Sequence, residues 1–383
     1  FTGSSTLRKS LIVLQFMISI FLIIATVIIL QQLSYVQNKD LGYNREQVIV
    51  IPFDPLLVPQ YDDIRSALAA APGVLSVAGA YEEPTHIDWG DGITAKDDPK
   101  PITVNALPSD ENIVKTLGLQ IIAGNDFSQV DVRGFDTSND GANLRYSFML
   151  NEAAVKALGW KPEEAVGKTI VKNREGTVKA VVKDFHFRSL HEAINPLVIL
   201  LDKRLVGTLF VKISGTQVSR TISGLEQTWK QRIQTRPFEF HFLDEDYDAL
   251  YKAEQRTAAV FTTFSSLAIL LACLGLFALT AYTMARRTKE IGIRKILGAS
   301  LPDILSLVSR DFLKLVGIAL VMATPLAYYA VHQWLQKFTY RIEIQWWVFV
   351  AAGLVTIVIA FLTITLQAAK TASANPVKNL RTE

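Results

Sequence analysis

Four long apolar runs constrain the fold of this chain more than any other feature of its sequence. They occupy residues 10–30, 258–285, 315–331 and 346–369, and none of them contains a charged residue. An α-helix rising about 1.5 Å per residue needs about 20 residues to cross about 30 Å of hydrocarbon, and each run approaches or exceeds that length. We therefore predict an integral membrane protein with four transmembrane helices.

The alternative is that these runs are buried helices of a large soluble core. The hydrophobic fraction of 50%, with only 20% charged residues, is high for a soluble chain of 383 residues. Aromatic residues also bracket the last two runs, as they do at membrane interfaces. They are Tyr328, Tyr329, Trp334, Phe338 and Tyr340 before a short polar turn, and Trp346 and Trp347 after it. A soluble core helix has no need of such a belt, so the membrane interpretation is favoured.

Basic residues beside the apolar runs predict the orientation, because Lys and Arg accumulate on the cytoplasmic side of a membrane. They precede the first run, follow the second and follow the fourth. They are Arg8 and Lys9, then Arg286, Arg287, Lys289, Arg294 and Lys295, then Lys370, Lys378 and Arg381. All three groups fall on one side if four helices alternate. That side is predicted to be the cytoplasm.

The resulting domain prediction has nine segments. They are a cytoplasmic N-terminus (1–9), the first transmembrane helix (10–32), an extracytoplasmic α+β domain (33–250), a stalk with the second transmembrane helix (251–285), a cytoplasmic loop containing a helix (286–312), the third transmembrane helix (313–335), an extracytoplasmic turn (336–345), the fourth transmembrane helix (346–369) and a cytoplasmic tail (370–383).

The outer segment mixes strand and helix signals, which indicates one α+β domain or two small lobes. Strands are predicted at 47–53, 74–80, 148–150, 197–201, 207–213 and 238–243, and a hairpin at 169–184. Helices are predicted at 61–71, 110–117, 151–158 with Asn151 as N-cap, and 218–232. From Asp244 to Ala285 the pattern is helical without a break, which predicts one helix of about 60 Å that projects outward as a stalk.

Charge and cysteine content argue against nucleic-acid binding and against a disulfide-bonded outer domain. The net charge of +3 comes largely from the basic residues beside the apolar runs. The sequence has no basic stripe interleaved with stacking aromatics, so it does not predict nucleic-acid binding. The single cysteine, Cys273, lies in the second apolar run, so the outer domain has no disulfide. That composition favours a bacterial envelope over a eukaryotic cell surface.

Residues 285–300 are the most informative polar stretch. Glu290 and Arg294 are spaced i,i+4 for an ion pair on a helix, and Gly298 is placed to end that helix. Ile293, Ile296 and Leu297 form an apolar face. The pattern predicts a short amphipathic helix at the inner surface of the membrane. The alternative interpretation is a basic loop that only lies on lipid headgroups.

This stretch resembles a known family. Residues 287–300 (RTKEIGIRKILGAS) are similar nearly throughout to the cytoplasmic loop motif of the FtsX-like and MacB-type permeases of ABC transporters, and 375–381 (NPVKNLR) is similar to their tail. Residues 151–154 (NEAA) and 184–191 (DFHFRSLH) resemble long two-repeat permeases common in Bacteroidetes. Those permeases have two halves of similar plan, and a segment similar to residues 7–16 of this chain comes after their first half. This chain therefore looks like the C-terminal half of such a permease.

The resemblance implies a MacB-like periplasmic core domain and a non-catalytic permease in the bacterial inner membrane, with its large domain in the periplasm. A separate cytoplasmic ABC ATPase would bind the ATP and push on the loop, for export or envelope transport. The residues implied in ATPase coupling are Arg287, Lys289, Glu290, Ile291, Gly292, Ile293, Arg294, Lys295, Leu297, Gly298, Ala299 and Ser300. No catalytic, cofactor-binding or metal residue is assigned.

The implied partners are the ATPase, a second permease half or homologous permease, membrane lipids, and a periplasmic adaptor or envelope substrate, but no nucleic acid. The alternative function is a regulatory or signalling membrane protein that controls a cell-wall hydrolase or senses antimicrobial peptides, as some members of the same superfamily do. A membrane-anchored enzyme is the third hypothesis, and no Ser/His/Asp or Cys/His constellation supports it.

Three features of the outer segment imitate sites. Residues 162–169 end like a P-loop, but Pro162 stands at the first Gly position and no apolar strand precedes it. His186 and His191 are five residues apart, which suits neither one helical face nor a hairpin, so a structural role is favoured over metal binding. The acidic cluster at 244–248 is interpreted as a helix N-terminal cap rather than a cation site.

Overall fold

The computed structural model describes residues 3–135, 144–286, 290, 293–294 and 301–372. The chain forms two compact units. One comprises Phe1–Gln37 with Lys252–Glu383, and the other comprises Asn38–Tyr251. We call the first the membrane unit and the second the α+β unit.

The described helices and strands are named in chain order. The helices are α1 (Gly3–Gln37), α2 (Tyr61–Ala69), α3 (Ile113–Leu117), α4 (Gln129–Gly134), α5 (Glu152–Ala157), α6 (Pro162–Ala165), α7 (Val218–Arg232), α8 (Leu243–Leu250), α9 (Lys252–Arg286), α10 (Leu301–Leu335) and α11 (Trp346–Ala372). The strands are β1 (Val48–Pro52), β2 (Val74–Ala80), β3 (Gly90–Ala95), β4 (Asp98–Ser109), β5 (Ile121–Gly124), β6 (Tyr146–Asn151), β7 (Thr169–Lys172), β8 (Arg174–Val182), β9 (Leu197–Leu201), β10 (Thr208–Ile213) and β11 (His241–Phe242).

Four helices of the membrane unit are long and apolar enough to cross a bilayer. Their candidate spans are Leu7–Gln37, Lys252–Arg286, Ser309–Leu335 and Trp346–Gln367. The predicted fold class, four transmembrane helices with an α+β domain between the first helix and the other three, is therefore confirmed. Helix α1 is the most buried of the four and packs against α9 and α10 through residues such as Ile20 and Ile24.

Some polar side chains inside the membrane unit have hydrogen-bond partners, which a lipid environment favours, whereas the hydroxyls of Thr280 and Ser309 are buried without one among the described residues. The hydroxyls of Thr26 in α1 and Ser265 in α9 are hydrogen-bonded at 2.8 Å. The Gln32 side chain donates to the Tyr340 carbonyl at 3.0 Å and accepts from the Ile342 amide at 2.9 Å. The end of α1 is thereby attached to the turn between α10 and α11.

One part of the α+β unit is an open antiparallel sheet in the order β11-β1-β10-β2. Helix α2 connects β1 to β2, which lie on opposite sides of β10. Trp229 and Leu225 of α7 and Ile64 of α2 are buried in the core of this part. The amphipathic spacing of α2 and α7 explains why each presents one apolar face to the sheet.

The other part is a ring of strands. The pairs β4–β3, β3–β7, β7–β8, β8–β6 and β6–β9 follow one another, and the parallel pair β4–β9 closes the ring. Strand β9 is buried along its whole length, which explains its uninterrupted apolar sequence. Phe148 and Leu150 of β6 fill this second core together with Ala154 of α5.

Most predicted elements of the α+β unit are confirmed, including β2, β9 and α7 with the predicted bounds. The side chain of Asn151 accepts a hydrogen bond from the Ala154 amide at 2.9 Å, as predicted for the cap of α5. Strands β3 and β4 were not predicted. Strand β4 contains three prolines, which normally argue against a strand.

The prediction of one unbroken helix from Asp244 to Ala285 is wrong. Helix α8 ends at Leu250 and α9 begins at Lys252, with Tyr251 between them at φ −111° and ψ 15°. The Tyr251 side chain is fully buried, its ring lies 5.2 Å from that of Tyr247, and its hydroxyl accepts a hydrogen bond from the Leu190 amide at 2.8 Å. Tertiary contacts at this residue therefore override a helical sequence pattern.

Two predicted boundaries also differ. Helix α10 begins at Leu301, before the predicted start of the third transmembrane helix at 313, with Pro302 in its first turn, where proline is tolerated. Helix α11 continues to Ala372, past the predicted end at 369. Residues 373–383 of the predicted tail lie outside the described residues.

Candidate functional site

The candidate site is the polar stretch that follows α9. Within it the structure describes Glu290, Ile293 and Arg294. The Glu290 Oε1 and Arg294 Nη2 atoms are 2.8 Å apart, which is the predicted i,i+4 ion pair. Both side chains are about half exposed, and the Ile293 side chain is 57% exposed.

An exposed ion pair of this kind contributes only about 0.3–0.5 kcal/mol to its own helix. Its stabilising effect alone is thus small. The pair does hold a carboxylate and a guanidinium in fixed positions beside an apolar isoleucine. That combination of a small apolar contact and two oriented charges is suited to binding another protein surface.

The other predicted coupling residues lie outside the described residues. They are Arg287, Lys289, Ile291, Gly292, Lys295, Leu297, Gly298, Ala299 and Ser300. Their coupling role, like that of Glu290, Ile293 and Arg294, stays a prediction.

Two of the basic groups that were predicted to share one side of the membrane lie close together. The Arg8 guanidinium lies 4.6 Å from the centre of the Tyr282 ring, and the Arg286 guanidinium lies 5.2 Å from the same ring. Such contacts over an aromatic face are attractive. The start of α1 and the end of α9 are therefore at the same end of the membrane unit, as the orientation prediction requires.

Helix α9 is closely attached to α1 between this end and the middle of the membrane unit. A Cβ atom at Gly275 would lie 2.6 Å from Oε1 of Gln15, so a larger residue there would require the end of the Gln15 side chain to move. Sequence reasoning missed this contact. The available signal was Gln15 itself, because a polar residue within a transmembrane run normally faces the helix bundle.

The features of the α+β unit that imitate sites have structural contacts. Lys168, from the P-loop-like stretch, lies with its Nζ 4.3 Å from the centre of the Trp160 ring. His186 is buried, and burial with the nearby Lys39 lowers its pKa to about 4. His191 Nδ1 is 2.7 Å from the Ser189 hydroxyl, and its ring stacks on Tyr251.

Comparison with known proteins identifies the C-terminal part of the chain. Residues 262–376, from within α9 to the end of α11, match the family model described as FtsX-like permease C-terminal. This segment is an FtsX-like permease domain. The match supports the resemblance to FtsX-like permeases that is seen in the sequence.

Solved structures similar to this chain include two regions of other proteins. The periplasmic region of MacB from Actinobacillus actinomycetemcomitans is 16% identical, with 56% of this chain and 98% of that chain covered and a TM-score of 0.39. The extracellular domain of the noncanonic ABC-type transporter YknZ from Gram-positive bacteria is 12% identical, with 51% and 98% covered and a TM-score of 0.35. No curated protein matches the chain significantly. The functional assignment therefore rests on the family match.

Location follows from the FtsX-like domain together with the four candidate spans. The chain is a multi-pass protein of the bacterial inner membrane, with its α+β unit on the periplasmic side. In an ABC system the permease is the membrane component. That assignment fits the prediction of a chain that works beside an ATPase.

Proposed function

We propose that this FtsX-like permease transmits the motion of a separate cytoplasmic ABC ATPase to its periplasmic α+β unit, for export or envelope transport. The ATPase would bind and hydrolyse the ATP, and this chain would catalyse no reaction. A second permease half or a homologous permease would complete the transporter. A periplasmic adaptor or an envelope substrate would contact the α+β unit.

The observation that carries this proposal is the exposed surface formed by Glu290, Ile293 and Arg294. It follows the cytoplasmic end of α9 in the sequence and combines an apolar side chain with an oriented ion pair. A nucleotide-driven motor has to grip such a surface if it is to displace the helix, because lipid headgroups offer no rigid contact.

Helix α9 is suited to carry displacement away from that surface. Its 35 residues span about 52 Å and contain no proline. Sharp helix bends occur mainly at proline, at glycine and serine pairs or at a bulge. Helix α9 is one continuous helix that can transmit displacement, and the Ser265–Ser266 pair is the position where it can bend. Displacement reaches Tyr251, whose side chain is held in the core of the α+β unit.

The test uses the tagged full-length chain, extracted from its native membrane in mild detergent together with the ATPase that co-purifies. Glu290→Lys and Arg294→Glu each remove the ion pair and reverse one charge, and the double variant restores the pair in the opposite direction. Glu226→Lys is the matched control, since Glu226 and Lys230 form an exposed i,i+4 pair on α7 of the α+β unit.

We expect both single variants to insert normally and to lose most of the ATPase co-purification or stimulation, while Glu226→Lys behaves as wild type. The double variant should remain defective, because a partner protein would contact a negative charge at position 290 and a positive charge at position 294, and the double variant exchanges them. Wild-type stimulation by either single variant would refute the coupling role. Recovery of a cell-wall hydrolase instead of an ATPase would favour the regulatory alternative.

A further inference from the structure

We propose that Glu83, His241 and Asp246 form a zinc-binding site in the α+β unit. One ligand atom from each residue lies within 4.8 Å of the other two. The His241 Nε2 atom is 2.6 Å from Oδ2 of Asp246 and 3.5 Å from Oε1 of Glu83. The proposal is independent of the coupling function proposed above.

The fold brings these residues together from three separate segments. His241 lies in β11, which pairs with β1 so that His241 is opposite Val50. Asp246 is in the first turn of α8, where the helix dipole favours a carboxylate. Glu83 lies in the turn after β2, and its carbonyl accepts a hydrogen bond from the His86 amide at 2.9 Å. Two of the three positions therefore belong to regular elements with fixed backbones.

The Nε2 atom of His241 and the Oδ2 atom of Asp246 are 2.6 Å apart, which is within ion-pair distance when the imidazole is protonated. Both Nε2 of His241 and Oδ2 of Asp246 are shielded from solvent, and neither has a hydrogen-bond partner among the described residues. A metal ion bound beside them would give both atoms a partner. A buried polar pair without hydrogen bonds is otherwise costly.

The charge of the cluster also favours a cation. The carboxyl groups of Glu83 and Asp246 converge on one imidazole nitrogen, and all three residues are only partly exposed, so negative charge is concentrated where solvent is partly excluded. A divalent cation would neutralise that charge.

Tyr43 is a second and independent sign of a ligand. Its side chain is only 7% exposed, and its buried hydroxyl has no hydrogen-bond partner among the described residues. Burial raises the pKa of this phenol, and the negative charges of Asp246 and Glu83 raise it further, while Arg45 lowers it. The unpartnered hydroxyl thus lies within the electrostatic field of the cluster.

The ligand set indicates zinc rather than calcium or magnesium. One imidazole nitrogen and two carboxylate oxygens are ligands that zinc accepts in a tetrahedral site, with the fourth position open to water. Calcium takes six to eight oxygen ligands, and magnesium retains several waters in an octahedron of oxygens. A histidine in the set argues against both.

Zinc at this site would link the turn after β2 to the start of α8. The metal would stabilise the folded α+β unit, because it binds the assembled cluster and not the three separated segments. Protons compete with the metal for all three ligands, so the affinity for zinc should decrease as the pH is lowered. The other titratable groups that face the cluster are Tyr43, Arg45 and His86.

The test is a zinc titration of the purified full-length chain in detergent, after removal of metal with a chelator and in competition with a fluorescent zinc indicator. The variants are His241→Gln and Glu83→Gln. Asp244→Asn is the matched control, because Asp244 is an exposed acid in the same first turn of α8 but is not part of the cluster. Thermal melting with and without zinc, and with calcium at the same concentration, gives a second measurement.

We expect one tightly bound zinc ion in the wild type and in Asp244→Asn. Loss of a direct ligand should weaken binding by at least ~100-fold, since even loss of an outer-shell contact costs about 10- to 100-fold. Zinc should raise the melting temperature of the wild type but not of the two ligand variants, and calcium should have no effect. If His241→Gln does not fold in chelator, Glu83→Gln at the turn decides the outcome.

Two results would overturn the proposal. One is a wild-type chain that binds no zinc at micromolar concentration. The other is equal affinity in the wild type and in a folded ligand variant, which would assign the zinc to other residues. A melting temperature that responds to calcium as strongly as to zinc would refute the choice of metal.

Discussion

The hydroxyl of Tyr251 anchors the junction between α8 and α9, and Tyr251→Phe removes only that oxygen. The Leu190 amide, which donates to it at 2.8 Å, is buried and would be left without an acceptor. An unsatisfied buried amide costs about 1–3 kcal/mol. Because each ~1.4 kcal/mol is a factor of ten, local opening around Leu190 should become ~5- to ~150-fold more frequent.

Tyr43→Phe is the matched control, because it makes the same chemical change at another buried tyrosine of the α+β unit. The Tyr43 hydroxyl has no hydrogen-bond partner among the described residues, so its removal should cost nothing or stabilise the unit slightly. The edge-to-face contact of its ring with Phe185 is retained. A chelator is present throughout, since Tyr43 faces the proposed zinc site.

The assay is hydrogen–deuterium exchange of the full-length chain in detergent, read by mass spectrometry on the peptide that contains Leu190. Faster exchange in Tyr251→Phe but not in Tyr43→Phe is the expected result. Unchanged exchange in Tyr251→Phe would show that the hydrogen bond does not hold the junction. An equal increase in both variants would show that the loss of any buried tyrosine hydroxyl has the same effect.

Two further predictions concern buried polar groups. Burial raises the pKa of Asp110 to about 6, so its contribution to stability is complete below its unfolded value near 4 and is lost as the pH rises through about 6. Relative to the wild type, Asp110→Asn should therefore gain stability between pH 4 and 7 in urea unfolding, and a pH-independent difference would contradict this. In the membrane unit, a double-mutant cycle of Thr26→Val and Ser265→Ala should give a coupling of about 0.6–1.7 kcal/mol in detergent unfolding, whereas additive effects would exclude the hydrogen bond.

Local patterns predicted much of the molecule because their physical causes are local. A run of about 20 apolar residues has to be removed from water whatever surrounds it, so the four spans followed from sequence alone. The Glu290–Arg294 pair depends only on helical spacing, and the Asn151 cap depends only on a side chain near its own backbone. The ion pair and the cap were predicted with the correct residues.

Features that depend on distant partners were missed. Strand β4 carries three prolines yet is ordered because it pairs with both β3 and β9. Within the candidate coupling stretch, spacing predicted the ion pair, but no sequence pattern reveals which protein surface it binds. The answer depends on the surface of the partner protein, which is encoded in a different sequence.

The sequence by itself determined that the chain crosses a membrane four times, which ends are basic, and where a compact amphipathic stretch follows α9. Only the tertiary structure decided that the helix stops at Tyr251 and that Glu83 meets His241 and Asp246. Hydrophobic length and charge near a span act through the chain's immediate surroundings. Burial of one tyrosine and convergence of three ligands depend on strand pairings between residues far apart in the chain.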